Sequence, residues 1–150
     1  MLCSQQIIEA LKTQLLNGTD ADGRVYTDRL WPLDEGKLPA IRLYELSEEI
    51  KPQTVHWPAL EQHELDIAIE LCASAVSGID ATLAALKLQV LGLLFDTSAH
   101  ASLGLTNVSL QHTATGPMQA IETASSQLAQ RTLKVTASFS AFAHQPETFV

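Results

Sequence analysis

The chain has 150 residues, 46% of them hydrophobic and 17% charged, with a mean hydropathy of +0.09. That length suits one domain able to bury about 68–70% of its unfolded surface, and the apolar share excludes a disordered chain. Nine Lys and Arg against 17 Asp and Glu leave a net charge of −8, which excludes a dedicated nucleic-acid reader, because such affinity comes from cations that neutralise phosphates.

Charge this sparse points to a surface partly covered by other subunits. Cys3 and Cys72 are too few for a disulfide framework and lack the paired spacing of a zinc site, which suits a reducing compartment. The opening MLCSQQIIEALKTQLL has no basic n-region and carries Glu9 and Lys12 inside its apolar stretch, unlike a secretory leader. The longest apolar run, 79 to 95, is interrupted by Asp80, Lys87 and Gln89, so no membrane span is expected. A soluble protein made in a cytoplasm is the resulting expectation.

Ile7, Ile8, Leu11 and Leu15 recur at helical spacing, and with Ser4 as cap and Asn17-Gly18 as stop they predict an amphipathic helix over 4–17. The stretch 17–24 is rich in Asn, Asp and Gly and reads as a connector; Asp20 and Asp22 begin like a calcium loop but lack its later ligands. Residues 24–30 and 40–46 predict two strands joined as a β-hairpin with a long loop. Pro52 and Pro58 predict an exposed excursion over 47–60. Strict alternation of Leu65, Ile67, Ile69, Leu71 and Ala73 gives a strand over 63–75. Gly78 and Asp80 open a helix to about residue 95, carried by Leu83, Leu86, Val90 and Leu94. Leu105 to His112 reads as a strand broken by Gly116-Pro117, residues 118–130 as a short helix or a loop, and Arg131 to Phe142 as a long strand. The order α-β-β-β-α-β-β predicts one α+β domain over 1–150, with a mainly antiparallel sheet of four to five strands and two helices packed on one face.

Chemistry is thinly signalled. The five histidines have no ligand spacing, and the phosphate-loop, serine-nucleophile and dithiol motifs are missing, so no metal, cofactor or catalytic residue is assigned. Seven acids stand against one base, Lys51, between Glu45 and Glu70; a solvated acidic loop plus the outer face of a strand accounts for them, and a paired acid/base site competes. Cys72 lies among Asp66 and Glu70, which would raise its thiol pKa. Trp31 and Trp57, each beside a proline, read as plugs over a core edge or as interface anchors.

Arg24-Val-Tyr-Thr-Asp-Arg-Leu30, then Leu38-Pro-Ala-Ile-Arg-Leu-Tyr44 and Leu65-Asp-Ile-Ala-Ile-Glu-Leu71, taken with the element order, resemble the tail terminator proteins of long-tailed bacteriophages, the minor tail protein U group. The resemblance extends over most of the chain and rests on order and spacing rather than on one motif. It implies a non-catalytic structural protein, commonly a hexameric ring, that caps the tail tube, ends tail growth and offers a surface for the head. The implied partners are further copies of the chain, the tail tube protein and head-tail connector proteins. DNA would pass through the lumen without specific binding, to which a negative protein is suited. The implied location is the head-proximal end of the virion tail, and the host cytoplasm during assembly.

The 31–37 turn, the 47–60 loop and the 97–104 and 112–127 connections are the expected contact regions. Arg24, Arg29, Arg42 and Arg131 are candidates to pair with Glu48 and Glu49 of a neighbouring subunit, with Trp31 and Trp57 as candidate anchors. Two alternatives compete: a head-completion or neck protein of similar fold, and an enzyme or small-ligand protein using the acidic 45–70 region. The second needs His63 or His112 beside Asp66 or Glu70 in a concavity.

Overall fold

The computed structural model describes residues 1–27, 38–122 and 126–150. Helix α1 (Cys3–Leu15) is followed by β1 (Val25–Tyr26), β2 (Ala40–Pro52), β3 (Leu60–Ala75), α2 (Ile79–Phe95), the single turn α3 (Ser98–Ala101), β4 (Ser109–Thr115), β5 (Gln119–Glu122), β6 (Gln127–Phe142) and β7 (Gln145–Phe149). One sheet runs β1-β2-β3-β6-β4, and β5 and β7 also pair with β6. The α+β class, the two main helices and the largely antiparallel sheet follow the sequence expectation. The half-buried outer positions of β6 mark the layer opposite the helices, whereas Ala68, Glu70 and Cys72 on the outer side of β3 are buried.

β3 and β6 pair along their whole lengths, from Leu60↔Phe142 to Ala75↔Gln127. The other edge of β6 takes β5, β4 and β7 end to end, at Gln127 to Gln130, Leu133 to Ser138 and Ala141 to Phe142. Gly116-Pro117 separates β4 from β5, and the Gly116 N–H bonds Thr132 O at 2.8 Å, because proline can offer the ladder no donor. Ile67, Ile69, Leu71, Leu133 and Val135 are fully buried on the sheet face that meets Ile7, Leu11 and Leu15 of α1 and Leu86, Val90 and Leu94 of α2.

Several elements depart from expectation. Ser4 is not a cap but a buried residue inside α1; the Leu2 N–H at the helix start is met by Gln5 Oε1 at 3.0 Å. The helix stops two residues earlier than expected, where Asn17 takes a left-handed conformation, φ 60°. β1 is not the first arm of a hairpin: it runs parallel to β2, with Val25 opposite Ile41. The stretch 27 to 39 is long enough for the crossover that parallel pairing requires. Its residues 28–37 lie outside the described structure, as do Arg29, Trp31 and the 31–37 contact region.

The excursion expected at 47–60 is mostly strand. After a bulge between Glu45 and Ser47, β2 continues to Pro52 opposite Glu61, and only 53–59 form the turn. Pro52 is tolerated because it ends an edge strand, where a missing N–H breaks no ladder. Gly78, φ 70°, caps α2 in place of Asp80, which sits in the first turn without a side-chain cap bond; lacking a Cβ, glycine takes that left-handed conformation at no steric cost. α3 is an unexpected turn, capped by Thr97, whose hydroxyl accepts from the His100 N–H at 3.2 Å. β4 begins at Ser109 rather than Leu105. Within the 118–130 stretch, read as a short helix or a loop, 119–122 form β5 and 127–130 begin β6, while 123–125 lie outside the described structure; β7 is an added strand.

Sixteen-residue strands outrun the helices. β3 spans roughly 53 Å at about 3.3 Å per residue, whereas the 17 residues of α2 cover roughly 25 Å. Three residues separate the end of β3 from the start of α2, so α2 covers the Ala75 end. The Leu60 end, with the far half of β2, stands out as an arm.

Candidate functional site

On the sheet face away from the helices, register sets side chains in rows across β2, β3 and β6: Ala40, Cys72 and Gln130; Arg42, Glu70 and Thr132; Tyr44, Ala68 and Lys134; Ser47, Asp66 and Thr136. Arg42 and Glu70 form a buried ion pair, their side chains 3% and 6% exposed, and the Tyr44 hydroxyl donates to Glu70 Oε2 at 3.0 Å. Cys72 Sγ lies 3.6 Å from Glu70 Oε1. Burial pushes its thiol pKa up, and the Arg42 charge opposes that rise. The expected direction therefore holds, but desolvation rather than neighbouring carboxylates causes it.

Asp66 is held by three donors: Thr136 Oγ1 at 2.7 Å, Lys134 Nζ at 3.2 Å and Ser47 Oγ at 3.4 Å. The Thr136 hydrogen bond, foremost, keeps its carboxyl below the ordinary value. A depressed native pKa stabilises the fold above the unfolded-state pKa, and that contribution is lost as pH falls through the native pKa. Thr136→Val should therefore move the Asp66 titration upward, as read by NMR of its side-chain carboxyl. It should lower stability at pH 6 by about 1 kcal/mol and by clearly less at a pH below the native Asp66 pKa, where the carboxyl is protonated. Equal urea-midpoint shifts at the two pH values would refute the assignment.

Beyond these rows the face is lined by hydroxyls. Thr132, Thr136, Ser138 and Ser140 alternate along β6, each half-buried, and Lys134, the one charge among them, faces Asp66. Thr113 of β4 extends the row to Thr136 Oγ1 at 3.3 Å.

The opposite face carries a separate cluster at the root of the arm. His63 is buried and stacks on Phe139 with ring centroids 4.8 Å apart. Its Nδ1 lies 2.5 Å from Glu48 Oε1 and its Nε2 is within ion-pair distance of Glu61 Oε2, 3.2 Å. Phe149 meets Phe139 edge to face, and Gln6 donates to Glu147 O at 2.7 Å, tying α1 to β7. Burial, then the Glu147 and Glu48 charges, push the Cys3 thiol pKa up.

Of the acids of 45–70, Asp66 and Glu70 lie on the outer face of a strand as expected, while Glu48 and Glu49 stand in strand β2 rather than in a solvated loop. Strand alternation divides them: Glu48 and Glu61 flank His63 on the helix side, and Asp66 and Glu70 lie on the far side. His63 is consequently not beside Asp66 or Glu70. His112 bonds Ala114 O and Thr115 Oγ1, both at 3.0 Å, within its own strand. The pairings that the competing enzyme or ligand-site reading needs, His63 or His112 beside Asp66 or Glu70, are not formed. A groove of about 430 Å³ lies elsewhere, lined by residues including Ile8, Glu9, Leu43, Tyr44 and Glu45. Among the described residues no group of three His, Cys, Asp or Glu side chains is placed to hold a metal ion, and no helix is long and apolar enough to cross a membrane.

Three of the candidate interface arginines are engaged within the subunit. Arg42 is buried with Glu70. Arg24 donates to Pro39 O at 2.8 Å and Asp20 O at 3.1 Å, and Arg131 to Gly116 O at 3.0 Å. Glu49 pairs with Lys51 at 3.5 Å on the exposed arm. Trp57, at the arm tip, is 84% exposed, so it plugs no core edge.

Sequence reading missed the Arg42–Glu70 pair, although a local signal was there: two opposite charges, each flanked by apolar residues, Ile41 and Leu43 beside Arg42 and Ile69 and Leu71 beside Glu70.

No protein-family model matches the chain, and no curated protein sequence matches it. Among solved structures, a chain of the virion of a native gene transfer agent particle is similar, with 18% identity and a TM-score of 0.42. The match covers 87% of this chain and 94% of that one.

Proposed function

We propose that the chain is a structural protein of a phage-type virion, a tail terminator whose copies form a ring on the end of the tail tube. There it stops growth and receives the head. The observation that carries this reading is the half-buried outer face of β6, a hydroxyl-lined surface whose one cation, Lys134, is matched by Asp66 of β3. Such a face suits a channel wall, because a polyanion that meets few free cations has few counterions to release and slides without sticking. The helices lie on the other side, so the half-buried positions Thr132 to Ser140 of β6 face away from them, while the part of this face that holds Ala40, Arg42, Ala68, Glu70 and Cys72 is buried. The sequence resemblance to tail terminators supports the same role. In this reading the protein acts by assembly and carries out no reaction.

A ring also needs contacts repeated head to tail. The arm offers them: among the described residues no strand lies beside Ser47 to Pro52 of β2, and an exposed edge is a ready site for pairing.

The test is co-expression with a phage tail tube protein, followed by electron microscopy and by light scattering of the purified chain. The expected result is tubes of limited length carrying a ring of this protein at one end, whether or not rings form in free solution. A chain that stays monomeric and never binds tube ends overturns the proposal.

A further inference from the structure

Two exposed apolar surfaces occur at opposite ends of the subunit. One is the arm tip, where Val55 is 93% and Trp57 84% exposed. The other is the outer side of α2, where Leu88 is 74% exposed and is flanked by exposed Ala84, Ala85 and Gly92. A surface helix normally turns charged residues to water. Past its first turn α2 carries one charged side chain, Lys87, and one polar side chain, Gln89, and its other residues are apolar or glycine.

We infer that the arm tip of one copy docks on the outer side of α2 of the next copy, Trp57 lying over the small residues beside Leu88. This contact rests on the ring reading and names its interface.

Shape, charge and placement support the pairing. Alanine and glycine leave a shallow trough that a flat indole can cover, and a tryptophan at the centre of an interface contributes area with few torsions to freeze. Between residues 45 and 64 the arm holds five glutamates against one lysine, so the lone Lys87 of α2 meets an acidic partner.

The two surfaces cannot meet within one copy. The arm tip lies beyond the Leu60 end of β3 while α2 covers the Ala75 end, which separates Trp57 from Leu88 by roughly 40 Å along the sheet. A contact between unlike surfaces of identical chains is head to tail, and it closes into a ring or continues as a filament.

The test uses Trp57→Cys and Leu88→Cys in the full chain. Both sites are exposed, and the native Cys3 and Cys72 are buried, so a new disulfide reports the new cysteines. Mixing the two single variants under oxidation should give a covalent dimer that neither variant gives alone. The double variant should give a ladder of covalent oligomers ending at one size. In the wild-type background Leu88→Glu should abolish self-association without unfolding the chain, as checked by circular dichroism.

A mixture that remains monomeric overturns this contact, as does Trp57→Cys alone cross-linking as well as the mixture, since that would mean arm against arm. If wild-type rings cap tubes yet no 57–88 disulfide forms, this contact fails and the terminator reading stands. If 57–88 dimers form but the chain never binds tube ends, the contact stands and the terminator reading fails.

Discussion

Glu70→Ala lowers the stability of the fold by about 3–5 kcal/mol, the expected loss when one partner of a buried ion pair is removed. Arg42 and Glu70 face each other across β2 and β3 at register positions where both side chains are almost fully enclosed. Truncating Glu70 strips the guanidinium of its carboxylate in a place water reaches poorly, and it also removes the acceptor of the Tyr44 hydroxyl. Replacing both partners, Arg42→Met with Glu70→Leu, should restore most of the loss, since a hydrophobic pair of similar volume often equals or exceeds a buried ion pair. Urea denaturation of the two singles and the double gives the coupling energy directly. A Glu70→Ala variant within about 1 kcal/mol of wild type would mean that the pair is solvated and would contradict the burial described above.

Leu133→Ala should lower stability by about 3–5 kcal/mol, through lost transfer energy and the cavity left behind. Leu133 lies at the centre of the sheet, opposite Ile69 of β3, which in turn faces Leu43 of β2, and all three are fully buried. Collapse into the space is restricted because β6 is held by ladder bonds on both edges, to β3 and to β4. For a chain of this length the loss corresponds to a fall in Tm of about 10 °C, measurable by calorimetry. Leu88→Ala makes the contrast: its side chain is 74% exposed, so in the isolated subunit it should change stability by less than about 0.5 kcal/mol. A Leu133→Ala cost equally small would place Leu133 outside the core.

The strongest periodicities translated directly. Leu65 to Ala73 alternate because β3 has one face against the helices, and Leu83, Leu86, Val90 and Leu94 recur because α2 presents one stripe to the sheet. Where local pattern was weak, neighbours decided. Residues 118–130 have no preference of their own, being Ser-, Thr- and Ala-rich, and β5 and the start of β6 form there because β3 and β6 template each other's backbone groups. Pro52 marked a break in the sequence, yet at the end of an edge strand it interrupts nothing. β7 pairs with β6 at Ala141 and Phe142 and owes its place to Phe149 meeting Phe139, a contact between distant positions that no local window contains.

The candidate surfaces divide in the same way. The charge balance of −8 and the prominence of Trp57 were legible from composition and from its loop neighbours. That Arg42 and Glu70 neutralise each other, that His63 joins Glu48 and Glu61 rather than Asp66, and that Arg24 and Arg131 bond backbone carbonyls were not, because each depends on cross-strand register.

By itself the sequence determined the class of fold, the apolar faces of β3 and α2 and a surface poor in cations, since periodicity and composition are local properties that burial then reads. Only the tertiary structure decided the parallel placement of β1, the arm formed where 16-residue strands outrun a 17-residue helix, and the hydroxyl-lined face with its matched charges. Those features depend on which strands lie side by side and at what offset, and a shift of a single residue would have turned every one of those side chains to the other face.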